Sequence, residues 1–118
     1  MHIITLRIIL CKFYFYTYAN NSFTTSFIVA PGGIGTFDEF FEILTLKQLG
    51  RHNKAIVILN INGFFNDMLN MMKHAIDKKF ITTDCVELFK VVKTADDALD
   101  YIENYDPTDI DISKVKIR

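Results

Sequence analysis

FIVAPGGIGTFDEF, residues 27–40, decides how this chain folds. Phe27-Ile28-Val29-Ala30 is a continuous apolar run, as in a strand buried on both faces of a parallel sheet. Pro31-Gly32-Gly33-Ile34-Gly35 then breaks the chain, and a helical pattern starts at once. Phe37, Phe40, Phe41 and Leu44 recur at i, i+3, i+4 and i+7. Ile43, Leu46 and Leu49 widen that stripe, so the helix is expected to bury more than one face. Gly50 stands where a C-terminal stop belongs. The stretch reads strand, glycine turn, helix.

The same order repeats downstream. AIVILN (55–60) is a second buried strand, and Asn62-Gly63 supplies a turn. FFNDMLNMMKHAIDKKF (64–80) places Phe65, Met68, Leu69, Met72 and Ile76 on one helical face, with the methionines as core filler. VELFKVV (86–92) reads as a third strand. Thr94, with Asp97 three residues on, opens a last helix whose apolar contacts are Ala98, Leu99 and Ile102. The tail from Pro107 (107–118) is expected to be a loop with a short terminal strand. Alternation of this kind implies right-handed crossovers and a parallel sheet with helices packed on it, an α/β fold of about three βα units. Three strands are few for such a fold. The first is expected to have a bare edge unless residues 1–25 or another chain cover it. Residues 26–106 thus read as the second half of a larger domain.

Composition narrows the function classes. Half of the 118 residues are hydrophobic, 23% are charged and the net charge is −1, a globular balance with no electrostatic call for nucleic acid or an acidic membrane. MHIITLRIILCKFYFYTYANNSFTTS (1–26) is apolar and aromatic, but Arg7 and Lys12 interrupt it well short of a membrane span, and no cleavage site follows it. Cys11 and Cys85 stand far apart, as buried thiols do in a reducing cytoplasm. His2, His52 and His74 show no metal-ligand spacing, and neither a GxSxG nor a Cys/His signature occurs. The expectation is a cytoplasmic protein that uses no metal or other cofactor.

In an open parallel sheet, ligands bind beyond the carboxyl ends of the strands, where PGGIGT sits. Glycines let successive N–H groups converge on an anion at a helix N-terminus. The spacing is neither GxGxxG nor the P-loop pattern, and no lysine follows. Two readings of the neighbouring acids stand. Thr36-Phe37-Asp38-Glu39 fits a capping box, with Thr36 as N-cap and Glu39 folding back on it. Asp38 would then favour the positive helix end, and Glu42 lies one turn beyond Glu39. Alternatively, carboxylates beside a phosphate cradle suit a ligand that carries sugar hydroxyls and develops positive charge as it reacts, as in glycosidic cleavage.

PGGIGTFDE closely resembles the PGGxGTxxE motif of the LOG ("lonely guy") phosphoribohydrolases, long labelled lysine decarboxylases. The resemblance continues through EILTLKQLG, KAIVILNINGFF and MMKHAIDKKFI, and covers roughly residues 26–104. It implies a Rossmann-like fold, usually homodimeric. The implied reaction hydrolyses cytokinin riboside 5′-monophosphates or AMP to a free base and ribose 5-phosphate. By the same resemblance Gly32, Gly33, Ile34, Gly35 and Thr36 line the phosphate, Thr45 approaches the ligand, Glu39 is the catalytic carboxylate, and Asp38 and Glu42 are supporting acids. The family also carries an arginine in an ERKxxM-like segment that would fall near Tyr16, where this chain reads KFYFYTYANN. Three expectations follow: an active nucleotide hydrolase, a non-catalytic nucleotide-binding or dimerisation module, or a shortened product whose first 25 residues are foreign to the fold.

Overall fold

A computed structural model describes residues 3–9, 12–19 and 22–107, with side-chain environments from 26 to 107. Its elements run β1 (Ile3–Ile9), β2 (Lys12–Ala19), β3 (Ser22–Val29), α1 (Ile34–Gln48), β4 (Ile56–Leu59), α2 (Asn66–Asp77), β5 (Lys90–Val92) and α3 (Ala95–Glu103). The five strands form one sheet in the order β1-β2-β3-β4-β5. β3, β4 and β5 are parallel, with Phe27 opposite Ile56 and Ile58 opposite Val91. The expected α/β core of three βα units is therefore present.

The expected bare edge of β3 is not. β2 pairs with it antiparallel, Phe13 opposite Ile28 and Tyr16 opposite Thr25, and β1 pairs antiparallel with β2 in turn. IITLRII and KFYFYTYA are dense in β-branched and aromatic residues, the types that suit a pleated surface. β3 also begins earlier than the apolar run at Phe27, because the antiparallel register continues back to Ser22.

Strand alternation sends two sets of side chains to opposite faces. Phe27, Val29, Ile56 and Ile58 meet Phe40, Ile43 and Leu44 of α1, Phe65, Met72 of α2, and Leu88. Ile28 and Val57 meet Ala98 and Ile102 of α3 on the other side, so helices cover both faces. The third strand is shorter than VELFKVV suggests. Thr83–Leu88 winds into 3-10 turns, with Cys85 N–H donating to the Thr82 carbonyl, and only Lys90–Val92 pair in the sheet. Burial of Leu88 and Phe89 explains the apolar run without a strand. α3 starts as expected, with Asp97 N–H donating to Thr94 Oγ1 at 3.1 Å. Gly50 ends α1 at φ +75°, and Arg51 N–H reaches back to the Leu46 carbonyl. The expected terminal strand lies outside the described residues.

The amino edge of the sheet holds a buried cation. Lys47 has no exposed surface; its Nζ donates to the Lys54 carbonyl at 2.8 Å and to Tyr105 Oη at 2.9 Å. Tyr105 donates onward to Asn53 Oδ1 at 3.2 Å, and Asn53 Nδ2 donates to the Pro107 carbonyl. Burial lowers Lys47 to about 8 and, in the same cluster, raises the Tyr105 phenol. This network ties the last turn of α1 to the segment before β4 and to the end of α3.

Candidate functional site

The carboxyl edge of β3, β4 and β5 lies at the other end of the sheet from Lys47, and the glycine turn leaves from it. α1 begins at Ile34 with Gly33 as its N-cap and no side-chain cap bond. The capping-box reading is thereby corrected. The Gly33 carbonyl already accepts from Thr36 N–H at 3.1 Å and from Phe37 N–H at 3.2 Å, so the first turn is wound before Thr36. Thr36 is the third helical residue and Glu39 the sixth, too deep to fold back onto the cap.

Each turn residue has a distinct setting. A Cβ on Gly32 would overlap Thr36 Oγ1 and lie 3.2 Å from Thr36 Cβ, so the buried Thr36 side chain requires glycine there. A Cβ on Gly33 would meet nothing within 4 Å. The side of Gly33 on which a side chain would stand, at the N-cap of α1, is thus open. Ile34 and Gly35, as the first two helical residues, have N–H groups with no intrahelical acceptor, at the positive end of the helix dipole. Ile34 is 81% exposed at the rim. These groups can receive an anion through backbone N–H donors without any lysine.

The acids divide by side. Glu39 is half-buried, with its Oε2 shielded from solvent, about 7 Å along the helix from Ile34 at 1.5 Å per residue. Asp38 and Glu42 are exposed on the outer flank of α1. Thr45 is not brought to the turn within the chain. It lies about 16 Å along the helix from Ile34, and its Oγ1 donates to the Phe41 carbonyl at 2.7 Å.

Asn60, at the carboxyl end of β4, was not singled out by sequence reasoning. Its Oδ1 accepts from Phe65 N–H at 2.8 Å, its Nδ2 donates to Asn66 Oδ1 at 2.8 Å, and its own N–H donates to the Val92 carbonyl at 2.7 Å. It pins the loop in which Asn62 and Gly63 take positive φ, next to the strand that feeds the glycine turn. An open depression of about 560 Å³ lies there, lined by Asn60, Ile61, Asn62, Gly63, Asn66 and Lys93. An asparagine ending an apolar strand just before an Asn-Gly turn was the available signal.

A family described as possible lysine decarboxylase matches residues 20–102. The chain is 35% identical over 82 residues to cytokinin riboside 5′-monophosphate phosphoribohydrolase LOG4 of Arabidopsis thaliana, covering 70% of this chain and 38% of that protein. It is likewise 35% identical over 82 residues to the probable phosphoribohydrolase LOGL3 of Oryza sativa subsp. japonica, with 70% and 39% covered. Against the cytokinin riboside 5′-monophosphate phosphoribohydrolase of Rhodococcoides fascians, identity is 49% over 57 residues, 48% of this chain and 29% of that one. The chain thus spans less than two fifths of the length of the curated relatives it matches. The glycine turn, α1 and, but for the last residue of α3, the two βα units after it fall within the matched residues: this chain belongs to the LOG family.

Proposed function

We propose that the chain acts on a nucleoside 5′-monophosphate, a cytokinin riboside 5′-monophosphate or AMP, and hydrolyses its N-glycosidic bond. The observation that carries this reading is the open space beside Gly33 at the start of α1, whose first residues Ile34 and Gly35 have N–H groups without intrahelical acceptors, with Glu39 one and a half turns deeper on the same helix. The phosphate sits on the turn, and the ribose extends toward Glu39. There the carboxylate stabilises positive charge developing at the anomeric carbon and orients the attacking water. Water adds to that carbon as the C–N bond breaks; the base leaves with a proton, and ribose 5-phosphate remains. The names of the relatives support the reaction class. No cofactor enters this scheme. A cytoplasmic setting fits the buried free thiol of Cys85.

A second reading is a nucleotide-binding module without turnover. It is favoured by charge: no lysine or arginine occurs between Lys12 and Lys47 in sequence, and Lys47 lies at the far end of α1. The deciding experiment incubates the full chain with AMP and with isopentenyladenosine monophosphate and measures released base. Release that falls at least about a hundredfold in Glu39→Gln supports catalysis by Glu39. Equal turnover in that variant removes Glu39 from the mechanism. Thermal stabilisation by AMP without release favours the binding module.

A further inference from the structure

The depression beside Asn60 has no part in the proposed reaction. α1 turns Phe37 toward this loop, where its ring meets that of Phe65 edge-on with centroids 6.4 Å apart. Glu39 stands about 200° further round the helix, on the flank away from it. The depression, of about 560 Å³, lies at the carboxyl ends of β4 and β5 and is lined by Asn60, Ile61, Asn62, Gly63, Asn66 and Lys93. Small-molecule sites span about 300–1,000 Å³, so this one exceeds the needs of a simple ion.

Its hydrogen-bonding groups are unevenly committed. Asn60 is buried; its Oδ1 accepts from Phe65 N–H, and its Nδ2 gives one of two hydrogens to Asn66 Oδ1. The same bond turns the Asn66 amide oxygen toward Asn60. Asn66 Nδ2 then lies over Gly63, where a Cβ would come within 2.6 Å of it. Neither Asn66 Nδ2 nor the second Asn60 hydrogen has an acceptor among the described residues. Lys93 is exposed and makes no ion pair among the described residues. The oxygens of Asn60 and Asn66 are thus occupied while donors are left over. No carboxylate lines the depression; Asp67, Asp96 and Asp97 belong to the first turns of α2 and α3, outside it. Surplus donors beside an ammonium suit an oxyanion. Asn62, exposed and held at φ +52°, adds an amide oxygen that can accept from a hydroxyl.

We propose that this depression binds a sugar phosphate, with Lys93, Asn66 and Asn60 donating to the phosphate and Asn62 accepting from a sugar hydroxyl. Ribose 5-phosphate is of this class, so the site can hold the product class of the proposed reaction away from Glu39. The assignment does not depend on that reaction, since it rests on the donor set of the depression.

Calorimetry on the full chain carrying Gly33→Ala tests it, because that substitution weakens phosphate binding at the glycine turn. One equivalent of ribose 5-phosphate should bind, and ribose should bind at least about tenfold more weakly. Adding Lys93→Met should lower the affinity for ribose 5-phosphate at least about tenfold, and Lys93→Arg should retain most of it. Asn66→Asp keeps the oxygen that Asn60 Nδ2 needs but replaces the free donor with a carboxylate oxygen. It should abolish binding with unchanged circular dichroism. Absence of binding to the Gly33→Ala chain, equal affinity for ribose, or undiminished binding in Lys93→Met or Asn66→Asp would each overturn the site. Base release from AMP is read separately, so its failure bears on Glu39 and not on this depression.

Discussion

Replacing Lys47 with methionine tests how the interior of this fold tolerates a charge. Lys47 has no exposed surface, and its Nζ is held by two neutral acceptors, the Lys54 carbonyl and Tyr105 Oη. Burial lowers its pKa from 10.5 to about 8. At about 1.4 kcal/mol per pH unit this depression sets a ceiling of about 3 kcal/mol on the cost of the charged form. Residual screening brings that toward about 2 kcal/mol. The sign follows from proton uptake. Between pH 8 and 10.5 the unfolded chain keeps the proton that the folded chain has released, so stability rises with pH across this window. Below it the full cost applies. Cys85, raised to about 11, and the Tyr105 phenol, also raised, act in the opposite sense at alkaline pH. Both are present in Lys47→Met, so the difference between the two proteins isolates Lys47. In Lys47→Met the Lys54 carbonyl and Tyr105 lose a donor, a penalty that is constant across the pH window. Thermal melts of both proteins should therefore diverge. From about pH 7 to about pH 10 the wild-type Tm should gain roughly 8 °C on the variant, at about 4 °C per kcal/mol for a chain of this size. A constant difference across that range would refute the assignment of a buried charge.

Two further substitutions separate the glycines. Gly33→Ala should leave stability within about 0.5 kcal/mol, because its Cβ meets open space, while AMP binding by calorimetry should weaken at least about tenfold. Equal AMP affinity would place the phosphate elsewhere. Gly32→Ala should instead lower stability by about 1–3 kcal/mol, read as a fall in Tm, because its Cβ overlaps Thr36 Oγ1. At the opposite edge, His52 Nε2 donates to the Ile43 carbonyl at 2.9 Å while Nδ1 accepts from Lys54 N–H at 3.1 Å, an arrangement for the neutral ring. Burial lowers its pKa from 6.5, so stability should drain as pH falls below that value, where the unfolded chain takes up the proton first. His52→Gln should flatten the acid limb of Tm against pH, and an unchanged limb would exclude His52 as its source.

The βα order from β3 onward was legible because each signal there had a single physical source. Val29 and Ile58 sit in runs buried on both faces, Gly50 takes the positive φ that ends α1, and Thr94 accepts the N–H of Asp97. The start of α1 was misread because Thr36 and Glu39 match a capping box in spacing alone. Whether the helix begins at Ile34 or after Thr36 depends on the Gly33 carbonyl, which leaves no trace in residue types. The third strand was overextended because Leu88 and Phe89 are buried from 3-10 turns as fully as from a strand. β1 and β2 escaped notice because Leu10 and Cys11, which stand between them in sequence, are neither glycine nor proline, and because their pairing depends on neighbours. At the candidate site, the glycine turn was visible in the sequence. The position of Thr45 far along α1 was already implied by the helix read through to Gly50, whereas the part Asn60 plays was not, since it follows from loop closure around Phe65 and Asn66.

The two kinds of pairing on β3 also set an order of assembly. β1, β2 and β3 adjoin through short connections, with Ile9 opposite Lys12 and Ala19 opposite Ser22. Closing such hairpins takes on the order of microseconds and little chain entropy. β4 can join β3 only after residues 30–55 have been gathered into a turn, a helix and a return, and β5 requires a second crossover of similar length. Non-local parallel pairing is the slow step in folds of this kind. The antiparallel meander thus offers β3 as a ready edge on which the parallel half nucleates.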